Sequence, residues 1–410
     1  MKLIFFLVLV SGSLFLRAQL GCTDENATNY DPNATQNDGT CIYSVTNYSP
    51  VEVDQLPAVV SESSGIIQLN NGLWTHNDSG NSPYLYLLDT VDFTVERSVY
   101  IKNSGNVDWE AITHNETHAF IGDFGNNNGD RTDLRVLKLN LSLLMDNTVD
   151  TVEADVINFD YLDQVSFAPS TEHNFDCEAF LYLDDSLHLF TKHRSNTFTK
   201  HYTLPVIPGS YSATLVDSLD VGGQITGAHI QGDSLVGLVG YRPDNFYEPF
   251  LFLLWDFGDS HMFSGNKRSI ELGTVMDMGQ NEAIYFSNDF AGWITSESTS
   301  QIGKDAAIYY FDISHLFTVT AYLYEKYSSQ KAWKVFPNPV KEEMLHIQHE
   351  TSWVRKVQVF NQGGKAIAMK RLVKSEKSYT LNITDFSSGV YLLLIEFADG
   401  ERAVERIVVR

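Results

Sequence analysis

Five short segments of the chain open with an oxygen-bearing side chain followed by Ala or Gly. They are Ser64-Gly65-Ile66, Glu110-Ala111-Ile112, Glu178-Ala179-Phe180, Thr226-Gly227-Ala228 and Glu282-Ala283-Ile284. Apart, three carboxylates and two hydroxyls do little. Together they make an all-oxygen cage, the donor set that Ca2+ takes with six to eight oxygens at roughly 2.3–2.6 Å. No His or Cys holds one of these positions, which argues against zinc. The starts lie 46, 68, 48 and 56 residues apart, the scale of the repeat in a bladed ring of sheets. In such a β-propeller the first strand of each blade lines the central channel, so equivalent strand starts meet as a ring. Three carboxylates crowded there repel unless a cation joins them or one stays protonated.

The elements that must position these residues are strands. Residues 51–320 alternate apolar and polar side chains over short runs broken by Asn, Asp and Gly, as in Tyr84-Leu85-Tyr86-Leu87-Leu88 and Leu134-Arg135-Val136-Leu137-Lys138-Leu139. No amphipathic helical period competes, so the region reads as all-β hairpins. The second unit shows the plan: Glu110 to Thr113, a turn at Asn115, Ala119 to Gly122, a loop over 123–131, then Leu134 to Leu137. The expected architecture is a five-bladed β-propeller over 51–326, with room for a sixth blade in 141–175. Either Val51 to Asp54 or Thr318 to Tyr322 closes the ring as an outer strand. Alternating strands and Gly turns from 335 to 410 predict a separate small C-terminal β-sandwich.

Charge is placed unevenly. The net charge is −24, yet residues 334–410 carry 12 basic and 9 acidic side chains, leaving 16 basic against 43 acidic in the rest. So negative a field repels nucleic acid and anionic lipid and favours cations. Lys2, the apolar run Leu3 to Leu16 and the small Ala18 read as a cleaved secretory leader over 1–18. The run is too short to span a bilayer and Ser11-Gly12-Ser13 interrupts it; no other stretch is apolar enough, so no membrane segment remains after cleavage. Cys22 and Cys41 bracket a polar module, 19–43, that lacks an apolar core, and a disulfide there supplies the order packing cannot. Cys177, between Asp176 and Glu178, reads as structural, since neighbouring carboxylates disfavour its thiolate.

Two resemblances extend this reading. Pro337-Asn338-Pro339, the Gly363-Gly364-Lys365 turn, the Ser387-Ser388-Gly389-Val390-Tyr391 hairpin and a basic end resemble the C-terminal sorting domain of type IX secretion. That implies export across the outer membrane, to the surface or beyond, with the secretion machinery as partner. The order Ser64, Glu110, Glu178, Thr226, Glu282 resembles the axial ligands of the calcium-activated nucleotidases, secreted five-bladed propellers with Ca2+ in the tunnel. Asn70-Asn71-Gly72-Leu73-Trp74 and the distance from Glu110 to Gly122-Asp123-Phe124-Gly125 agree with that family. The phosphate-binding positions depart from it: His76-Asn77-Asp78-Ser79-Gly80 lacks an Arg, Asn126-Asn127-Asn128 lacks charge, and Tyr241-Arg242 stands where a Lys is expected.

The resemblance implies Ser64, Glu110, Glu178, Thr226 and Glu282 as Ca2+ ligands. The loops beyond the second strands gather on one face and bring Asp78, Asp123, Lys192, His193, Arg194, Arg242 and Glu297 there. For a hydrolase of a small phosphoester, nucleotide or ester, Asp78 or Asp123 would take a proton from water, and Arg194 with Arg242 would hold the anion. The alternative is a non-catalytic module gripping an extracellular glycan or protein with the same face. No nucleophile elbow, phosphate loop or His-Glu-x-x-His motif is present.

Overall fold

A computed structural model describes residues 18–317 and 333–409, apart from positions 70–71, 244–245, 259, 342–343, 350–352, 362–365, 377, 385, 388 and 398–401. The leader, Thr318 to Tyr322 and the Gly363-Gly364-Lys365 turn lie outside the described residues.

Residues 51–312 build five blades, each an antiparallel meander whose inner strand is followed by progressively outer ones. The inner strands are Ser63–Leu69, Trp109–His114, Asp176–Leu183, Gln224–Gln231 and Gln280–Asn288. Each neighbours the next, and the fifth neighbours the first, so they ring one channel. The interval 141–175 holds no sixth blade. Its strand Thr151–Val152 caps the outer edge of blade 1, and Asp155–Tyr161 is the outer strand of blade 2. The ring closes as expected through Val51–Gln55, which pairs antiparallel with Ala307–Asp312 as the outer strand of blade 5.

Packing explains why the blades stand side by side. Five apolar cores lie between successive blades, each drawing side chains from two of them. Between blades 1 and 2, Ile67, Trp74, Leu85 and Val99 meet Trp109, Ile112, Ile121 and Leu137. Between blades 5 and 1, Trp293, Ile308 and Tyr310 meet Ile66, Leu73 and Tyr86. Truncating one such fully buried Trp costs about 3–5 kcal/mol.

The outer edges, which would otherwise recruit other chains, are largely paired. Blades 2 and 3 join edge to edge through a parallel pairing of Ile157 to Tyr161 with Gly209 to Ala213, giving one eight-stranded sheet. Thr46–Asn47 covers blade 4. The N-terminal module is clipped by the expected Cys22–Cys41 disulfide and seated on blade 4. Asn37 donates to Asp256 and Asn266, and Tyr43 packs at 5.3 Å on Trp255 beneath the Arg268 guanidinium.

The C-terminal region is the expected sandwich. A three-stranded sheet, Trp333–Phe336, Met344–His349 and Ser378–Asn382, faces a four-stranded one of Val354–Asn361, Ala366–Glu376, Gly389–Phe397 and Arg402–Val409. Leu345, Ile347, Val357, Val359, Leu393 and Ile395 fill its core. Among the described residues no helix is long and apolar enough to cross a membrane.

Candidate functional site

Each of the five ring positions is a β-bulge. Pairing with the second strand skips Ser64 between Ser63 and Gly65, and Glu110 between Trp109 and Ala111. It likewise skips Glu178, Thr226 and Glu282. A bulge leaves one residue out of the ladder and re-aims its side chain, and bulges concentrate beside functional sites. The same irregularity at the same position of five blades places all five ring residues at the same end of the channel. All are buried. The small residue after each is demanded by crowding: a β-carbon on Gly65 would press on the Ile112 backbone 2.8 Å away, and one on Gly227 on the Glu282 carbonyl at 2.6 Å.

The five then divide by chemistry. Ser64 Oγ donates to the Glu110 carbonyl at 2.5 Å, and Thr226 Oγ1 to the Asn281 carbonyl at 2.6 Å. Both hydroxyls thus tie one inner strand to the next. Glu178 Oε1 is 3.0 Å from the Lys192 ammonium and 3.6 Å from Arg194. Glu282 accepts from Gln280 Nε2 at 2.6 Å. Among the described residues no hydrogen bond reaches the Glu110 carboxylate, although that residue is only 5% exposed.

One residue missed in the sequence, Asp108, and one expected at this face, Asp78, complete the picture around Glu110. Asp108 sits two places earlier, in the bend that leads into the same inner strand. Asp78 leaves the end of the second strand of blade 1. Ligand oxygens of Asp78, Asp108 and Glu110 lie within 4.8 Å of one another. Gly125 makes the close approach possible, because a β-carbon there would collide with the Glu110 and Asp108 carboxylates. Asp176 stands before Glu178 as Asp108 stands before Glu110. It accepts from Asn126 N and Arg194 Nε, each at 2.6 Å. The repeated Asp-x-Glu of blades 2 and 3 was the signal that could have revealed both.

Burial pushes the Glu110 and Glu282 carboxyls well above the usual range, with Glu178 adding to the first and Glu297 to the second. Burial and the Asp78 charge raise Asp108 to about 6. Burial, then Asp78, raises Glu297 to about 7. Burial likewise raises Asp78, whose Oδ1 accepts from Ser79 N. Burial works against the charge of Lys192, but Glu178, Tyr241 and Glu282 outweigh it, and its pKa rises.

The other expected residues are placed differently. Asp123 is fully buried beside two guanidiniums, Arg131 at 3.1 Å and Arg135 at 2.8 Å, and accepts from Asp108 N. It holds the loop that carries Asp108 and has no free oxygen for water. Arg242 pairs with Glu271 at 2.7 Å and lies over Phe250, out along the blade. Arg194 does stand at the mouth, but bound to Asp176 and Asn127. His193 is buried with Nδ1 on Asn196. Cys177 is buried in the core between blades 2 and 3, its thiol pushed well up by that burial, as a structural cysteine should be.

Comparison with known proteins adds the address. Residues 334–410 match the secretion system C-terminal sorting domain. This segment is a type IX sorting domain. The protein is therefore exported, to the cell surface or the medium, and its partner in that step is the secretion machinery. Among curated proteins none matches the chain. Solved structures of similar shape include an exo-β-1,3-galactanase from Phanerochaete chrysosporium, 11% identical over 87% of this chain and 99% of that one, TM-score 0.41. The WD40 β-propeller domain of Doa1 is 8% identical over 86% and 96%, TM-score 0.32. The β-propeller domain of Cps50 from Myceliophthora thermophila is 9% identical over 88% and 100%, TM-score 0.29.

Proposed function

We propose that this exported propeller binds a divalent cation, Ca2+ by its all-oxygen donors, at the channel mouth, and acts there as a metal-dependent hydrolase of a small phosphoester, nucleotide or ester. The observation that carries the reading is the convergence of Asp78, Asp108 and Glu110, with Gly125 leaving the room and the buried Glu110 carboxylate receiving no hydrogen bond among the described residues. Three hard oxygens at this spacing suit Ca2+ better than a transition metal. Such an ion supplies charge for a polarised substrate oxygen or a bound water. Around it the chain offers Glu297, whose pKa near 7 suits proton exchange at neutral pH. Arg194 at the rim offers a partner to an anionic group.

One observation favours a second reading, a non-catalytic binder of extracellular glycan or protein. Lys192, Arg194 and Arg242 are each engaged by a carboxylate, which leaves little free positive charge for a phosphate. Incubating the purified chain with nucleoside diphosphates, phosphomonoesters and lactones, with Ca2+ and with chelator, separates the two. The hydrolase reading expects Ca2+-dependent turnover that Glu110→Gln abolishes. A blank across the panel alongside Ca2+ binding leaves the binder.

A further inference from the structure

Lysine side chains ordinarily lay their methylenes on the surface and keep the ammonium in water. Lys192 does the reverse. It ends the second strand of blade 3, and both it and Glu178 are almost wholly buried where they meet at 3.0 Å. Its ammonium also lies 5.2 Å from the centre of the Tyr241 ring. Glu282, Glu297, Asp176 and Asp78 all feel its charge. Burying a bare ammonium costs several kcal/mol unless protein oxygens replace its water. Here the nearest of them belongs to a ring residue, the Glu178 carboxylate. Arg194, held by Asp176 at 2.6 Å, secures the rim beside it. Toward blades 1 and 2, Asp78, Asp108 and Glu110 converge, and among the described residues no ammonium or guanidinium forms an ion pair with any of them.

We propose that the channel mouth is a two-cation site, one position of which is filled by the protein's own Lys192 ammonium, leaving Asp78, Asp108 and Glu110 open to a divalent ion from solution. The proposal rests on the cation reading above, but its own content is the number and place of the ions. The ion lies off the axis toward blades 1 and 2, and Glu178 and Glu282 are ligands of the lysine, not of the metal.

Calcium titration by calorimetry and terbium luminescence on the purified chain, with Lys192→Met and Lys192→Gln beside the wild type, tests this. Lys192→Gln keeps a donor toward Glu178 and guards against a variant that fails to fold. The wild type should take one ion and both variants two. The first should bind at least about tenfold tighter than in the wild type, because a facing positive charge is gone. Ammonium chloride should raise the melting temperature of the variants and leave that of the wild type alone. One ion in all three proteins, at unchanged affinity and with no ammonium response, overturns the proposal. No ion in the wild type but one in each variant refutes the site at Asp78, Asp108 and Glu110 while the role of Lys192 stands.

Discussion

The same five inner strands make two opposite environments. Their upper ends carry bulged, buried carboxylates and two cations. Toward their lower ends the side chains are His114, His229 and Tyr285, with His229 at 4.2 Å and His114 at 6.4 Å from the tyrosine ring. Tyr285 Oη donates to the Gln68 carbonyl of another blade. The lower end satisfies itself with neutral aromatic contacts and hydrogen bonds to backbone groups. The upper end is left with charge that its own groups offset only in part. A closed ring can be held by the first kind of end, and the second kind is where a ligand repays what the fold leaves open.

The largest expected loss tests whether the upper end is also structural. Asp123→Ala strips two guanidiniums of a buried partner and should cost about 3–5 kcal/mol in urea unfolding. Its partial rescue by Ca2+ would show that the loop carrying Asp108 is still in place. Glu110→Gln should act in the opposite sense. It removes a buried carboxyl whose ionisation burial opposes, so the chelated protein should gain about 1–3 kcal/mol. Calcium affinity should fall by more than the about 10–100-fold that outer-shell changes cause. If Glu110→Gln destabilises the chelated protein, the contrast between the two ends fails. Gly125→Ala should overpack the carboxylates, cost about 1–3 kcal/mol and weaken Ca2+ binding, which melting curves with and without the ion would read.

The two ends should also titrate against each other. Burial lowers His229 to about 3 and lowers His114. Their contribution is full above the unfolded value of 6.5 and is lost as pH falls toward the folded values. The upper carboxyls have raised pKa values, so their protonated forms favour the fold. That contribution is present below the unfolded value of 4.5 for Glu297 and is lost as pH rises through about 6 for Asp108 and about 7 for Glu297. In chelator, stability should therefore decline from pH 5.5 to 7.5, and Ca2+ should flatten that decline. An identical slope with and without Ca2+ would break the assignment. The smallest effect is expected at the lower end, where Tyr285→Phe should cost about 0.5–1.5 kcal/mol and leave ion binding untouched.

Much of this was legible in the chain. An oxygen-bearing residue before Ala or Gly, five times, located the bulge at the entry of each inner strand, because the crowded channel wall leaves room only for a small neighbour there. The blade plan read from Glu110 to Leu137 matched the strands within three residues. What local pattern cannot carry is the direction of a hydroxyl proton or the partner of a charge. Ser64 and Thr226 were read for their oxygens, and that their protons go to carbonyls of the next blade shows only in the folded chain. Asp123 and Asp108 are both acids near one loop, and only the positions of Arg131 and Arg135 decide which is tied up. Arg242 looked available because Glu271, its partner, is 29 residues away in sequence.

The strand Val51–Gln55 is made before any blade, yet it finds its place only against Ala307–Tyr310, in the last one. The ring therefore stays open on one side until nearly the whole propeller has emerged. The sorting domain begins soon afterwards, at residue 334. By the time the tail can be recognised, every piece needed to shut the circle is already present, and what leaves the cell can be a finished disc instead of a loose fan of sheets.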